Sequence, residues 1–271
     1  MRRLVQGDVG SGKTVVAAVS MYISAKNDTQ SVLLCPTEVL AEQHFKNFSA
    51  WFKNSNIKIE LLTGKMPVSK RRGIYQDLED GVIDILIGTH AVFQDKVKMK
   101  NLGLVVVDEQ QRFGVKQRFD LVKKSSDQIM PHQLFMTATP IPRTLAMTIF
   151  ADLETSKIDE LPPGRKPVET LVYSDKKKDE IVKRLETVCK SGNQVFWLCT
   201  MIEESENLDV QAADEAKEWI KENTNGLNIG LVHSKLSKDQ RDKAIENFRS
   251  GKTDVLVCTT VIEVGMDVPN A

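Results

Sequence analysis

The chain has 271 residues, 41% of them hydrophobic and 27% charged, and its 37 lysines and arginines are matched by 37 aspartates and glutamates. That length suffices for two domains with separate cores, while no apolar stretch is long enough to cross a bilayer and no apolar leader follows Met1, so the expected place of action is the cytoplasm. A formal net charge of +0 gives no global attraction to a polyanion, and the four scattered cysteines, Cys35, Cys189, Cys199 and Cys258, without a C-x-x-C pair, read as buried reduced thiols rather than a metal or disulfide framework.

In chain order, short β-branched runs alternate with longer helical stretches, the pattern of parallel sheets covered by helices on both faces. Strands are predicted at Leu4 to Gln6, Val32 to Cys35, Ile57 to Leu62, Ile83 to Gly88, Leu104 to Val107 and Gln133 to Met136. Helices are predicted over Thr14 to Lys26, with Val15, Val19, Tyr22 and Lys26 along one side, and over Thr37 to Lys53, with Leu40, His44, Phe48 and Trp51 likewise. At "LPPGRKP" proline and glycine bar both helix and central strand, which predicts a linker over 161–168 between a first domain, 1–160, and a second, 169–271. The second series runs Thr170 to Tyr173, a charged helix, Gln194 to Cys199, an acidic amphipathic helix, Ile229 to His233, another helix, and Val255 to Cys258. Basic clusters at Lys65, Lys70, Arg71 and Arg72 and around Lys176 permit nucleic-acid binding without requiring it. There is no short-period repeat and no low-complexity tract.

"GDVGSGKT", Gly7 to Thr14, fits G-x-x-x-x-G-K-[ST] between a short apolar strand and an amphipathic helix. In such a loop Gly7, Asp8, Val9, Gly10, Ser11 and Gly12 offer backbone N–H groups to a phosphate at a helix N-terminus, Lys13 reaches the β- and γ-phosphates, and the Thr14 hydroxyl can ligate magnesium. The apolar run "LVVV" ends in Asp108 and Glu109, and paired acids at a strand end repel one another unless a cation or activated water lies in front of them. Asp108 is the expected second magnesium ligand, and Glu109 the group that orients and deprotonates water attacking the γ-phosphate. Loop and acids together predict hydrolysis of a nucleoside triphosphate, with ATP and Mg2+ as cofactors. A small-molecule kinase or transporter ATPase would leave the second domain and "TATPIPRT" unexplained.

"CPTEVLAEQ", "LTG", "GTH", "TATPIPRT" and "TTVIEVGMDVPNA" follow one another in the order and spacing of superfamily-two helicases. Within that superfamily "GDVGSGKTVVA", "DEQQRFGVKQR", "TATPIPRTLAMT", "ELPPGRKPVET", "MIEESE" and "TTVIEVGMDVPNA" resemble the RecG family of bacterial ATP-dependent DNA helicases, from Arg3 to Ala271. The resemblance implies two RecA-like lobes of the P-loop NTPase fold, each a mostly parallel sheet flanked by helices, with ATP between them. It also implies branched double-stranded DNA as substrate, a role in recombination and fork repair, a monomer, and single-stranded-DNA-binding protein as a partner. Residue by residue, it places DNA-backbone contacts at Pro36, Thr37, Thr63, Gly64, Thr89 and His90 in the first lobe, and at His233, Thr259 and Thr260 in the second. It places a nucleotide approach at Gly265 and Asp267, and lobe coupling at Thr137 and Thr139. Phosphate contacts of this kind carry no sequence information, which suits a motor that steps over any base.

Two departures are notable. Gln111 stands where the family typically has the histidine of DEQH; glutamine hydrogen-bonds but cannot take a proton, so its part in catalysis and coupling is the more altered one. Neither the family's upstream DNA-wedge domain nor its glutamine- and arginine-rich motif falls within the 271 residues, so the second lobe reads as truncated. An arginine finger contributes roughly 10³ to 10⁵ in rate in related systems, so this stretch alone is expected to hydrolyse weakly. The alternatives carried from the sequence are a transcription-repair coupling translocase and a truncated module that binds nucleotide or DNA without turnover.

Overall fold

Parallel pairing throughout organises both halves of the chain. The structure, a computed structural model, describes residues 1–109, 130–139, 153–160, 168–199, 206–259, 268 and 270–271. The chain divides into two compact units, Met1–Pro167 and Val168–Ala271.

The first unit holds β1 (Arg2–Gly7), α1 (Lys13–Lys26), β2 (Gln30–Leu34), α2 (Glu38–Trp51), β3 (Ile59–Leu62), α3 (Val68–Glu79), β4 (Ile85–Gly88), β5 (Leu102–Val107), β6 (His132–Thr137) and β7 (Glu154–Ile158). Its strands form one sheet in the order β3-β4-β2-β5-β6-β1-β7, every pair parallel. Central strands of such a sheet are covered on both faces and so read as unbroken apolar runs. β2 and β4 are buried at every position. The core gathers Val32, Leu34, Leu62, Leu78, Leu86, Val105, Val107 and Phe135.

The period of α1 is legible, but its buried stripe differs from the run of Val15, Val19 and Tyr22. Ala17, Ala18, Met21 and Ser24 face inward, while those three are exposed. The small side chains of Ala17, Ala18 and Ser24 let the helix lie close over the sheet. α2 buries Leu40, Ala41, His44 and Phe48, one residue short of the predicted stripe, since Trp51 is exposed. Thr37 caps α2, its hydroxyl accepting from the Leu40 amide at 3.3 Å.

The second unit contains α4 (Lys178–Lys190), β8 (Val195–Leu198), α5 (Glu206–Asn223), β9 (Ile229–Val232), α6 (Lys238–Arg249) and β10 (Val255–Cys258), with a parallel three-stranded sheet in the order β8-β10-β9. The predicted strand at Thr170 to Tyr173 is not formed: 168–174 carry no regular structure and Val172 is 95% exposed. β-branched residues become a strand only when a neighbour pairs with them, and the described residues supply none there. Conversely β7, Glu154–Ile158, is a strand that its polar sequence conceals; it lies at the sheet edge beside β1. Of the predicted linker, 161–167 lie outside the described residues.

A long-range repeat also emerges. β3-α3-β4 in the first unit and β9-α6-β10 in the second have the same boundaries displaced by 170 positions, 59 to 229, 68 to 238 and 85 to 255. The supporting bonds recur with them. Asp84 accepts from the Lys58 amide at 2.7 Å, and Asp254 from the Asn228 amide at 2.8 Å.

Candidate nucleotide-binding site

Parallel strands deliver all their C-terminal loops to one edge of the sheet, where ligands of open α/β sheets bind. β1 leads there into the glycine-rich loop, β5 into Asp108 and Glu109, and β6, between those strands, into Thr137 to Thr139. The loop's shape depends on backbone conformations open to glycine: Gly10 has φ 80° and Gly12, the N-cap of α1, φ 97°. Gly7 is equally constrained by space, because a Cβ there would come within 2.5 Å of the Ser11 hydroxyl. The Ser11 Oγ is itself buried with no hydrogen-bond partner, an orphan polar atom inside the cradle.

Lys13 is drawn back over the loop and donates to the Gly7 and Asp8 carbonyls, both at 2.8 Å. Burial depresses its pKa below the ordinary lysine value, against the opposing pull of the Glu109, Asp108 and Asp8 carboxylates. The amine and the acid pair therefore share one electrostatic environment although 95 residues separate Lys13 from Asp108.

The acid pair is held tightly. The Asp108 amide donates to the Leu34 carbonyl at 2.9 Å, and its carboxylate accepts from the Glu109 amide at 3.0 Å through Oδ1 and pairs with His44 Nε2 at 2.9 Å through Oδ2. Glu109 adopts φ 47°, a left-handed conformation uncommon outside glycine, which turns the chain sharply at the strand end. Beside the pair, burial raises the Cys35 thiol well above its usual range, with the Asp108 charge adding to the effect. Thr137, fully buried, bonds its hydroxyl to that of Thr139 at 2.9 Å and accepts from the Thr139 amide at 3.1 Å.

Pro36 and Thr37 follow β2, Thr63 and Gly64 follow β3, and Thr89 and His90 follow β4, on the other half of the same edge. Thr63 and Thr89 are buried, with amides that donate to Met66 Sδ and to the Leu62 carbonyl, both at 3.4 Å, while Gly64 and His90 are exposed. In the second unit His233 follows β9 and Thr259 follows β10, both buried. Gln111, Thr260, Gly265 and Asp267 lie outside the described residues.

His44 is the site residue that the sequence does not reveal. It sits within an apolar stripe of α2, 64 residues before Asp108, and no spacing rule joins the two. Among the described residues no group of three or more His, Cys, Asp and Glu side chains is arranged to hold a metal. A magnesium ion fits such a site, since it is normally held by one or two protein oxygens, substrate phosphates and waters.

The family model for DEAD/DEAH box helicases matches residues 2–148. The chain belongs to that helicase family. A second model, the helicase conserved C-terminal domain, matches residues 176–271. The chain is 49% identical over 273 residues to the ATP-dependent DNA helicase RecG of Haemophilus influenzae, covering 100% of this chain and 39% of the relative. It is 47% identical to RecG of Aquifex aeolicus, covering 100% of this chain and 34% of that one. The chain thus spans well under half the length of these relatives. A structure of RecG bound to a three-way DNA junction superimposes with a TM-score of 0.75 at 38% identity, over 100% of this chain and 35% of that one. Yeast Dbp5 bound to RNA and ADP BeF3, at 18% identity and a TM-score of 0.67, covering 100% of this chain and 68% of that one, shares the fold. The fold is therefore RecA-like α/β, as the family resemblance implies.

Proposed function

We propose that this chain is the motor core of an ATP-dependent DNA helicase that remodels branched double-stranded DNA. One observation carries the reading. The Lys13 amine, at the start of α1 beyond β1, and the Asp108–Glu109 pair, beyond β5, stand at the same sheet edge with one strand between β1 and β5, and they act on one another electrostatically.

In this reading the loop amides and Lys13 bind the β- and γ-phosphates, the bonds of Lys13 to Gly7 and Asp8 being replaced by bonds to phosphate oxygens. Thr14 and Asp108 would hold magnesium, which when bound supplies charge neutralisation at the phosphates. Glu109, re-aimed by its left-handed backbone, orients the attacking water and takes its proton. Gln111, Gly265 and Asp267, outside the described residues, are further candidates for contact with the nucleotide, and Thr137 and Thr139 are the candidates for relaying the state of the γ-phosphate. The turns at 36–37, 63–64 and 89–90, with 233 and 259–260, grip the DNA backbone. RecG identity across the whole chain favours branched DNA over the substrate of a transcription-repair coupling translocase.

The test is ATP hydrolysis and nucleotide binding by the intact protein with and without forked DNA. Lys13→Ala is expected to weaken ATP binding at least about tenfold, the loss of one or two charge-assisted hydrogen bonds. Glu109→Gln is expected to retain ATP binding and lower kcat by about 10² or more. Normal ATP binding by the Lys13→Ala chain would refute the site.

A further inference from the structure

We propose that His44 is a positioning residue for the cation site: by donating Nε2–H to Asp108 Oδ2 it fixes the carboxylate that holds magnesium beside the nucleotide. This rests on the proposed nucleotide site and assigns it a residue that lies outside the phosphate loop and the acid pair.

The geometry leaves little else for the ring to do. His44 is 6% exposed on the inner face of α2, and its Nε2 lies 2.9 Å from Asp108 Oδ2. Its other nitrogen, Nδ1, is buried with no partner, so the bond to Asp108 is the one hydrogen bond that offsets burying a polar ring. An ionised carboxylate is acceptor-only, which requires the hydrogen on Nε2. Phe48 holds the ring edge-on, with centroids 6.2 Å apart.

Asp108 is then clamped on three sides. Its backbone is tied to β2 through Leu34, Oδ1 takes the Glu109 amide, and Oδ2 takes His44. Each oxygen keeps a lone pair for a cation, but neither can rotate away without breaking a buried hydrogen bond. An unclamped aspartate at a strand end would sample other rotamers and meet the cation only part of the time. Groups that orient a metal-holding carboxylate typically change metal affinity 10- to 100-fold when removed.

The experiment compares the wild-type chain with H44L and H44Q. Leucine fills the space without a donor, and the glutamine amide can place an N–H near the position of Nε2. Binding of a fluorescent ATP analogue is measured in a chelator and across a magnesium titration, with thermal unfolding followed in parallel. The expected result is unchanged metal-free nucleotide affinity in both variants, a magnesium midpoint raised about tenfold or more in H44L, and recovery toward wild type in H44Q. A midpoint in H44L within about twofold of wild type overturns the proposal, as does an equal loss of metal-free and magnesium-bound affinity, the signature of a merely structural role. If H44L does not fold, H44Q decides alone: a folded H44Q with a midpoint displaced as far as about tenfold overturns it, and a near-native midpoint supports it. Should Lys13→Ala bind nucleotide normally, the site itself is misassigned. Should Lys13→Ala fail to bind while H44L behaves as wild type, the positioning role alone falls.

Discussion

Lys13 illustrates how one residue carries opposing demands. A half-buried ammonium is costly, and its lowered pKa records that cost even with three carboxylates nearby. The folded pKa lies below the unfolded one, so the unfolded chain binds more protons through that window and the nucleotide-free fold gains stability as pH rises through it. Phosphate, by contrast, needs the charged amine. ATP affinity should therefore fall with rising pH earlier than an ordinary lysine, with a reference value of 10.5, would dictate. A binding titration from neutral to alkaline pH checks this, and an affinity that stays flat up to the ordinary lysine range would contradict the buried, phosphate-reaching assignment. The chemistry at this scale was legible wherever it is local. Gly7 to Thr14 and Asp108-Glu109 declare themselves by residue type and order, because a phosphate cradle needs consecutive amides and glycines. His44 does not, because its partnership is made only when α2 packs against the end of β5.

Among the elements, strands with two covered faces were the easiest to foresee, since burial on both sides demands apolar runs that nothing else in the chain imitates. β2, β4, β5 and β10 are of this kind. Edges behave otherwise. β7 is polar and half-exposed, joined to β1 through backbone pairing and by Arg3 reaching Ser156 at 2.7 Å, so its sequence carries no apolar signal. The 170-residue repeat is faint in the sequence because few letters survive it, among them Lys65 with Lys235, Arg71 with Arg241, Gly81 with Gly251 and Asp84 with Asp254. What recurs is the pattern of strand, helix and strand. Gly88 and Cys258 show its limit, for they occupy corresponding places at the ends of β4 and β10. A Cβ at Gly88 would lie 2.4 Å from the Leu62 carbonyl oxygen and 2.7 Å from Val92. Gly88→Ala should therefore destabilise the first unit by about 1–3 kcal/mol through overpacking. Denaturant unfolding checks it, and a loss under about 0.5 kcal/mol, the range of ordinary surface changes, would mean that β3 and β4 yield easily.

At the scale of the whole molecule, two compact units meet different demands, and ligand linkage distinguishes them. The glycine-rich loop, Thr14, Asp108 and Glu109 all belong to Met1–Pro167, so in the proposed reading a nucleotide would bind the folded first unit and not its unfolded chain. At a hundred times its Kd a ligand stabilises the state it binds by about 2.7 kcal/mol. Amide hydrogen exchange with saturating ATP and magnesium should accordingly slow most at the C-terminal ends of β1 and β5 and in the first turn of α1. The slowing should be lost in Lys13→Ala. β8 to β10 have no described residue in the proposed phosphate site, so their protection should change less. Protection that rose in β8 to β10 while leaving β1 and α1 untouched would place the nucleotide elsewhere, and the pairing of Lys13 with Asp108 and Glu109 would then need another purpose.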